Sequence, residues 1–214
     1  MITVKRFVVN FIQENCYILH DGTKECIIVD CGALFPEEHQ EIKDYITENG
    51  LTPRHLLCTH GHFDHVFGVQ FIFDTYGLRP EMSKDDEPTY TNARQQLLNF
   101  MNQDVPFTLP APGPFIKEGD AIKFGNHEFI AIATPGHTPG GLCFYCKEEK
   151  ILLSGDSLFR GDIGRCDLPG GNEQFLVTSL REKVLTLPED VRVYPGHGPS
   201  STIGYESSHN AYLK

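Results

Sequence analysis

The sequence lacks a long uninterrupted apolar run. Its apolar N-terminal stretch, residues 4–19, is broken repeatedly by charged and amide side chains. A membrane-spanning helix needs about 20 consecutive apolar residues, and a signal peptide needs a continuous apolar centre. We therefore expect no membrane partner and a cytoplasmic location, and we interpret this stretch as two opening β-strands.

Positive charge is also scarce, because 18 Lys and Arg residues face 29 Asp and Glu residues, a formal net charge of −11. A protein that binds nucleic acid neutralises phosphates with a basic surface. This charge balance argues against a nucleic-acid partner and favours a small-molecule substrate, although it says nothing about the oligomeric state.

Linkers and repeats are missing as well. No Pro- or Ser-rich segment, block of like charges or repeat of fixed period divides the 214 residues, of which 40% are hydrophobic. A chain of this length and composition can bury a full core. We expect residues 1–214 to form a single domain.

The seven cysteines are an odd number, which is typical of reduced thiols in a protein without an export signal. Cys143 and Cys146 match a C-x-x-C spacing, but they lie in an apolar, strand-like run. Positions i and i+3 of a strand face opposite sides. We therefore interpret this pair as core residues, not as a redox or zinc motif.

The most informative feature present is the run from Thr59 to His65, which contains three histidines and an aspartate within six positions. Imidazole and carboxylate groups without nearby thiolate suit zinc, iron or manganese in a reactive site, whereas a closed structural zinc site favours cysteines. In an extended segment His60 and His62 point the same way and can bind one ion. The following turn directs Asp64 and His65 elsewhere, which suggests two ions.

Three further candidate ligands each follow a short apolar run and lie beside glycine. They are His137 in Thr-Pro-Gly-His, Asp156 in Ser-Gly-Asp and His197 in Tyr-Pro-Gly-His. Strands that end in such turns can bring these groups together at one edge of a sheet, where loops usually carry function. Seven ligands suit a centre of two metal ions.

Taken in order, these seven residues resemble the ligand pattern of the metallo-β-lactamase fold superfamily. The segments GDSLFRGDIGR, residues 155–165, and YPGHGP, residues 194–199, are similar to glyoxalase II-like hydrolases. Only residues 198–214 follow His197, so we expect a short form without the C-terminal helical domain of the full-length enzymes. The resemblance implies a four-layer αββα sandwich, an α/β fold with two sheets face to face and helices outside; periodicity alone indicates only mixed α/β.

The resemblance also implies an assignment of the ligands. His60, His62 and His137 would hold one ion, Asp64, His65 and His197 the other, and Asp156 would bridge them. Zinc is the expected metal, with iron and manganese as alternatives.

A hydroxide held between two cations about 4 Å apart would be the nucleophile, because the cations lower the pKa of water and stabilise the developing oxyanion. Asp64 would orient that hydroxide and is therefore also a candidate catalytic residue. Glyoxalase II-like enzymes cleave S-2-hydroxyacyl-glutathione, so we expect an anionic thioester substrate. Arg160 and Arg165 are candidate substrate-binding residues, since guanidinium pairs with carboxylate in a bidentate fork.

Two alternatives stay open at this point. A persulfide dioxygenase shares the ligand cluster but uses one iron and consumes oxygen, and the stretch from Gly164 to Asp167 resembles its loop. A metal-stabilised scaffold without enzymatic activity is the other alternative.

Periodicity predicts an alternation of strands and helices. Strands are predicted at residues 4–9, 16–20, 26–30, 56–59, 121–124, 127–133, 142–146, 151–154 and 191–194, and helices at 36–49, 65–76, 88–101 and 173–185. Residues 81–114 do not follow this alternation of strands and helices, and they form either a lid or the cover of a sheet edge. Asp30, at a predicted strand end, either orients a ligand histidine or has a local role in helix capping or a turn.

Overall fold

The strands of the protein form two large sheets and a small ribbon, as seen in a computed structural model that describes residues 1–103 and 105–214. The strands are β1 (Thr3–Val9), β2 (Glu14–His20), β3 (Glu25–Val29), β4 (Thr52–Leu57), β5 (Pro80–Glu81), β6 (Ala121–Phe124), β7 (His127–Ala133), β8 (Leu142–Cys146), β9 (Ile151–Gly155), β10 (Leu158–Phe159), β11 (Asp162–Ile163), β12 (Arg192–Pro195) and β13 (Ser201–Thr202).

The helices are mostly short. They are α1 (Pro36–Glu48), α2 (Phe63–Val66), α3 (Val69–Tyr76), α4 (Glu87–Thr91), α5 (Ala93–Met101), α6 (Glu173–Ser179) and α7 (Ile203–His209), with a 3₁₀ turn at Lys84–Asp86 before α4 and a π-helical turn at Leu180–Val184 after α6. Among the helices of the described residues, none has the length and apolar content needed to cross a membrane.

The first sheet has the order β1-β2-β3-β4-β5, and the second has the order β13-β12-β9-β8-β7-β6. β4 pairs in parallel with β3, and β12 pairs in parallel with β9, whereas β7, β8 and β9 are antiparallel neighbours. The ends of β4, β7, β9 and β12 carry the loops of the predicted ligands.

Alternating side chains along the central strands produce the layers. In β2, Cys16 and Ile18 belong to the core cluster beneath the first set of helices, whereas Tyr17 and Leu19 belong to the cluster between the two sheets. In β8, Cys143 faces the cluster beneath α6 and its π-helical extension. A strand buried on both faces is expected where helices cover the outside of each sheet. The four-layer αββα sandwich is therefore confirmed.

The C-x-x-C pair follows the same alternation. Cys143 lies in the core cluster under α6, and Cys146 lies in the cluster between the sheets. Both side chains are buried. The two thiols lie on opposite faces of β8, so the interpretation of both as core residues is confirmed.

The helix predicted at residues 65–76 is two helices instead of one. α2 begins earlier, at Phe63, and Gly68 separates it from α3. The backbone N–H of Gly68 donates to Cys31 O at 2.8 Å, and a Cβ there would lie 2.7 Å from Cys31 Sγ. Close packing against Cys31 therefore interrupts the helical hydrogen bonding. Similarly, the predicted helix 88–101 divides at Asn92, and 173–185 becomes a π-helical turn after Ser179.

The predicted strand 56–59 also has the wrong bounds, because β4 begins at Thr52 and ends at Leu57. Its first residues are polar and partly exposed, and Pro53 lies at a register shift against β3. Proline is tolerated at such irregular positions because no ladder hydrogen bond is needed there. The two-residue strands β5, β10, β11 and β13 have no readable periodicity and were not predicted, and the seven-residue helix α7 was missed as well.

Candidate metal centre

The loops after β4, β7, β9 and β12 converge at one end of the sandwich. The first carries the His60–His65 run into α2, and the other three carry His137, Asp156 and His197. The convergence follows from topology, because each loop leaves its strand at the same edge of the two packed sheets. The structure thus brings all seven predicted ligands together.

Three imidazoles form one group, made of His60, His62 and His137, in which the candidate ligand atoms all lie within 4.8 Å of one another. His62 Nδ1 and His137 Nε2 are 2.9 Å apart. The three side chains are almost completely buried. Nitrogen atoms that face a common point in a buried site have the arrangement needed to bind a cation.

A second group contains Asp64, His65 and His197, with the same mutual spacing of candidate ligand atoms. His197 Nε2 lies 3.2 Å from Asp64 Oδ2 and 3.3 Å from His65 Nε2. His65 is fully buried, whereas 24% of the His197 side chain is exposed. This group therefore has an open side from which a small molecule could enter.

Asp156 lies between the two groups. Its Oδ1 is 3.3 Å from His65 Nε2, and its Oδ2 is 3.6 Å from His137 Nε2 and 3.7 Å from His197 Nε2. One carboxylate thus reaches imidazoles of both groups. This is the geometry expected of a ligand shared by two ions.

Neighbouring hydrogen bonds orient the imidazoles. The hydroxyl of Thr59 donates to Asp30 Oδ2 at 2.7 Å and therefore accepts from His60 Nδ1, 3.0 Å away. His137 Nδ1 donates to the carbonyl oxygen of Arg165 at 2.8 Å. Both contacts leave Nε2 of the ring unprotonated and directed at the site, as is usual for metal-binding histidines.

Asp30 contacts the loop that carries the first four candidate ligands. Its Oδ1 accepts from the backbone N–H of Thr59 at 2.7 Å, and its Oδ2 lies 3.2 Å from His65 Nδ1. Asp30 also has φ of 51°, a left-handed conformation that residues other than glycine adopt at a cost. Of the two roles predicted for Asp30, its contacts favour orientation of a ligand histidine.

The protonation states of His60, His62 and Asp156 also suit a cation. Burial and neighbouring imidazoles hold the pKa of His60 well below its usual range and lower the pKa of His62 to about 4. Burial opposes ionisation of Asp156, but the charge on His65 outweighs it and holds the pKa of the carboxyl well below its usual range. Burial opposes protonation of His65, but Asp156 and Asp64 outweigh it and raise the pKa of His65 well above its usual range, so a bound ion would displace a proton from this imidazole.

Unsatisfied polar atoms test whether a metal ion fits. Within the described part of the chain, the buried atoms His60 Nε2 and Asp156 Oδ1 make no hydrogen bond. Buried polar groups in native proteins are nearly always paired, and each exception needs an explanation. Two ions among these seven ligands would pair both atoms, so the residues fit a two-metal centre.

The two candidate substrate-binding residues lie outside the ligand cluster. Arg165 contributes its backbone carbonyl to His137, while its half-exposed guanidinium forms two 2.8 Å hydrogen bonds with Asp167. Arg160 stacks over the ring of Tyr205 at 4.9 Å. Arg165 therefore borders the site directly, whereas Arg160 lies against α7.

Two buried acidic residues were missed by sequence reasoning. Glu14, in β2, is fully buried 3.9 Å from His65 Nδ1, and burial raises the pKa of its carboxyl well above the usual value. Asp86, in the 3₁₀ turn before α4, is also fully buried and accepts hydrogen bonds from two ligand loops. Each lies in a polar stretch of sequence typical of a surface, so no local signal identifies it.

Comparison with known proteins gives the chain a family context. The sequence pattern of the Metallo-beta-lactamase superfamily matches residues 9–197. The hydroxyacylglutathione hydrolase GloC of Haemophilus influenzae is 34% identical over 206 residues, which cover 96% of this chain and 95% of that protein.

Two solved structures are similar over almost their whole length. The B3 metallo-beta-lactamase BLEG-1 superposes with a TM-score of 0.85 at 32% identity, covering 99% of both chains. TTHA1623, in a di-iron-bound form, superposes with a TM-score of 0.85 at 34% identity, covering 98% of this chain and all of that one. The fold and the arrangement of layers are thus shared with metal-binding proteins.

Proposed function

Since this chain belongs to the metallo-β-lactamase superfamily, a superfamily of metal-dependent hydrolases, we propose that it is a binuclear hydrolase that cleaves a thioester of the S-2-hydroxyacyl-glutathione type. The observation that carries this proposal is the position of Asp156. Its two oxygens face imidazoles of both ligand groups, at 3.3 Å and 3.6 Å. A carboxylate that faces both groups is the arrangement expected of a ligand shared by two ions.

The proposed ligands divide into two sets. His60, His62 and His137 would hold one divalent ion, Asp64, His65 and His197 would hold the other, and Asp156 would bridge them. Nitrogen and oxygen ligands without thiolate suit zinc best, and iron or manganese would also fit this donor set. The di-iron form of TTHA1623 is consistent with iron.

When bound, the two ions would lower the pKa of water and stabilise negative charge on the carbonyl oxygen under attack. Asp64 is the proposed catalytic residue of the chain itself. Its carboxylate lies at the open side of the site, about one tenth exposed, where it can accept a hydrogen bond from the attacking water and orient it. Thr59 and the Arg165 carbonyl keep the imidazoles in the required tautomer.

A thioester suits the site because a thiolate can leave without a proton donor. The resemblance to GloC supports a glutathione conjugate. Arg165 is the favoured contact for a substrate carboxylate, since its side chain extends into solvent beside His137, and Arg160 is the second candidate. We further propose that residues 1–214 act as one cytoplasmic domain.

Metal analysis combined with a substrate panel tests the proposal. The purified protein should contain two divalent ions per chain and should cleave a hydroxyacyl-glutathione thioester in preference to a lactone and a β-lactam. One iron per chain with oxygen uptake on glutathione persulfide would identify a dioxygenase instead. Preferential cleavage of the β-lactam would assign the chain to the activity named for BLEG-1. Metal without turnover of any substrate would favour a scaffold.

A further inference from the structure

Two ligand loops are joined by one buried carboxylate outside the ligand set. Asp86 Oδ2 accepts from the backbone N–H of Gly61 at 2.5 Å, and Asp86 Oδ1 accepts from the backbone N–H of Gly140 at 3.0 Å. Gly61 separates His60 from His62, and Gly140 follows His137 by three residues. A single side chain therefore bridges the loops that carry three proposed ligands of one ion.

The backbone around Asp86 touches the same two loops. A Cβ added to Gly61 would lie 2.5 Å from Tyr90 N, and a Cβ added to Gly140 would lie 2.5 Å from Asp86 N. Such distances are far below van der Waals contact, so only glycine allows this approach. Residues 84–91, which we call the clamp segment, thus pack directly against both loops.

The clamp segment is itself held firmly. Tyr90 is buried, and its hydroxyl donates to Pro110 O at 2.7 Å. Asp86 is fully buried, so its charge is shielded from solvent. An acceptor fixed in this way can define the separation of the loops that bind to it.

The other ligand group has a different support. Within the described part of the chain, no hydrogen bond of Asp86 reaches Asp64, His65 or the loop of His197. Asp30 lies beside His65 instead. Asp86 therefore contacts only the loops of the first group, whereas Asp30 contacts His65 and, through Thr59, also His60.

We propose that Asp86 is a positioning residue that holds the His60–His62 loop and the His137 loop at the separation one metal ion requires. This inference rests on the proposed two-ion function. A carboxylate can accept from both loops at once, whereas an amide of the same shape has only one acceptor oxygen. The unpaired N–H would then move toward another partner and carry its loop away.

The test compares Asp86→Asn with Asp85→Asn. Asp85 is the adjacent residue and is exposed, so its replacement removes the same charge without touching either ligand loop. Each full-length variant is stripped of metal and titrated with Zn²⁺ against a chromophoric chelator. His62→Ala identifies the binding step that belongs to the His60, His62 and His137 group.

We expect Asp86→Asn to weaken that step by about 10- to 100-fold, the usual cost of losing an outer partner of a ligand, and to leave the other step within about twofold of the parent. Asp85→Asn should change neither step. Gly140→Ala should weaken the same step, since its Cβ would push the His137 loop away from Asp86 while keeping the carboxylate.

Equal affinities of the parent and Asp86→Asn for both ions would overturn the positioning role, and so would equal weakening of both steps. If neither Asp86→Asn nor Gly140→Ala folds, even when purified with excess Zn²⁺, Asp86 acts on the fold as a whole and the inference is wrong. A parent that binds fewer than two Zn²⁺ contradicts the proposed function instead, so the two failures are distinguishable.

Discussion

Histidine and acidic residues meet at both ends of the sandwich, but with different outcomes. At the end away from the candidate metal centre, His127 Nδ1 lies 3.0 Å from Asp21 Oδ2, and His127 Nε2 lies 3.0 Å from Glu149 Oε1. At the other end, His62 Nδ1 faces His137 Nε2 at 2.9 Å. One cluster pairs each ring nitrogen with a carboxylate, whereas the other directs ring nitrogens at one another.

This difference separates a structural cluster from a ligand site. Two imidazoles that face each other can share at most one proton, and the buried His60 Nε2 has no partner within the described residues. The His127 cluster is complete without any ion. The same residue types therefore indicate a metal site only when their lone pairs converge, which depends on geometry and not on composition.

The variant with the largest expected effect is Asp156→Ala, which tests whether the converging side chains form a metal site. We expect loss of thioester hydrolysis by a factor on the order of 10³ or more, because loss of even one group that stabilises the oxyanion costs 10²- to 10³-fold and Asp156 supports both ions. Hydrolysis rate and metal content per chain are the measurements. The protein should stay soluble and folded by circular dichroism, and a rate near that of the parent would contradict the bridging role.

Zinc addition tests which end depends on metal. At a free Zn²⁺ concentration 100 times the dissociation constant of each site, the free energy of unfolding of the metal-free protein should rise by about 2.7 kcal/mol for each ion bound, since the ions bind only the folded state. Denaturant titration with and without Zn²⁺ measures this increment. Asp156→Ala should lose most of it, and an equal increment in that variant would separate Asp156 from metal binding.

The sequence predicted the metal ligands better than the residues that hold those ligands in place. His60, His62, Asp64 and His65 lie within six positions, so local spacing alone indicated a metal site. The apolar run around Cys143 likewise indicated β8, which is buried throughout. Such short-range patterns can be interpreted from the sequence because they do not depend on distant contacts.

Other features depend on distant contacts that no local pattern records. Asp86 lies in a polar stretch and is buried only because the ligand loops cover it. Gly68 interrupts a regular helical pattern because Cys31, far earlier in the chain, lies against it. Contacts of high sequence separation decide both, so they appear only after folding.

The His127 cluster, at the end of the sandwich away from the candidate metal centre, should affect stability and not activity. His127→Leu should lower the free energy of unfolding by about 2 kcal/mol, because it leaves Asp21 and Glu149 without a shared donor and Asp21 is buried. Activity per folded molecule and the Zn²⁺ increment should not change. Urea denaturation measures the first quantity, and a steady-state assay measures the second.

The matched control for that variant is His209→Leu. His209 is exposed and stacks on Tyr205, so its replacement should change stability by no more than about 0.5 kcal/mol. A loss of metal affinity in His127→Leu would contradict the view that the two ends act independently.

The smallest expected effect concerns one exposed ion pair at each end. Arg165 pairs with Asp167 beside His137, and Lys150 pairs with Asp190 at the opposite end. Exposed pairs are worth at most about 1 kcal/mol, so a substrate carboxylate can displace Asp167 from the guanidinium.

Arg165→Ala should therefore raise KM for an anionic thioester about fivefold, roughly 1 kcal/mol of binding, with kcat within about twofold. Lys150→Ala should leave both constants unchanged, because its pair lies away from the ligand loops. An unchanged KM in Arg165→Ala would assign this arginine to the loop, where its carbonyl already orients His137.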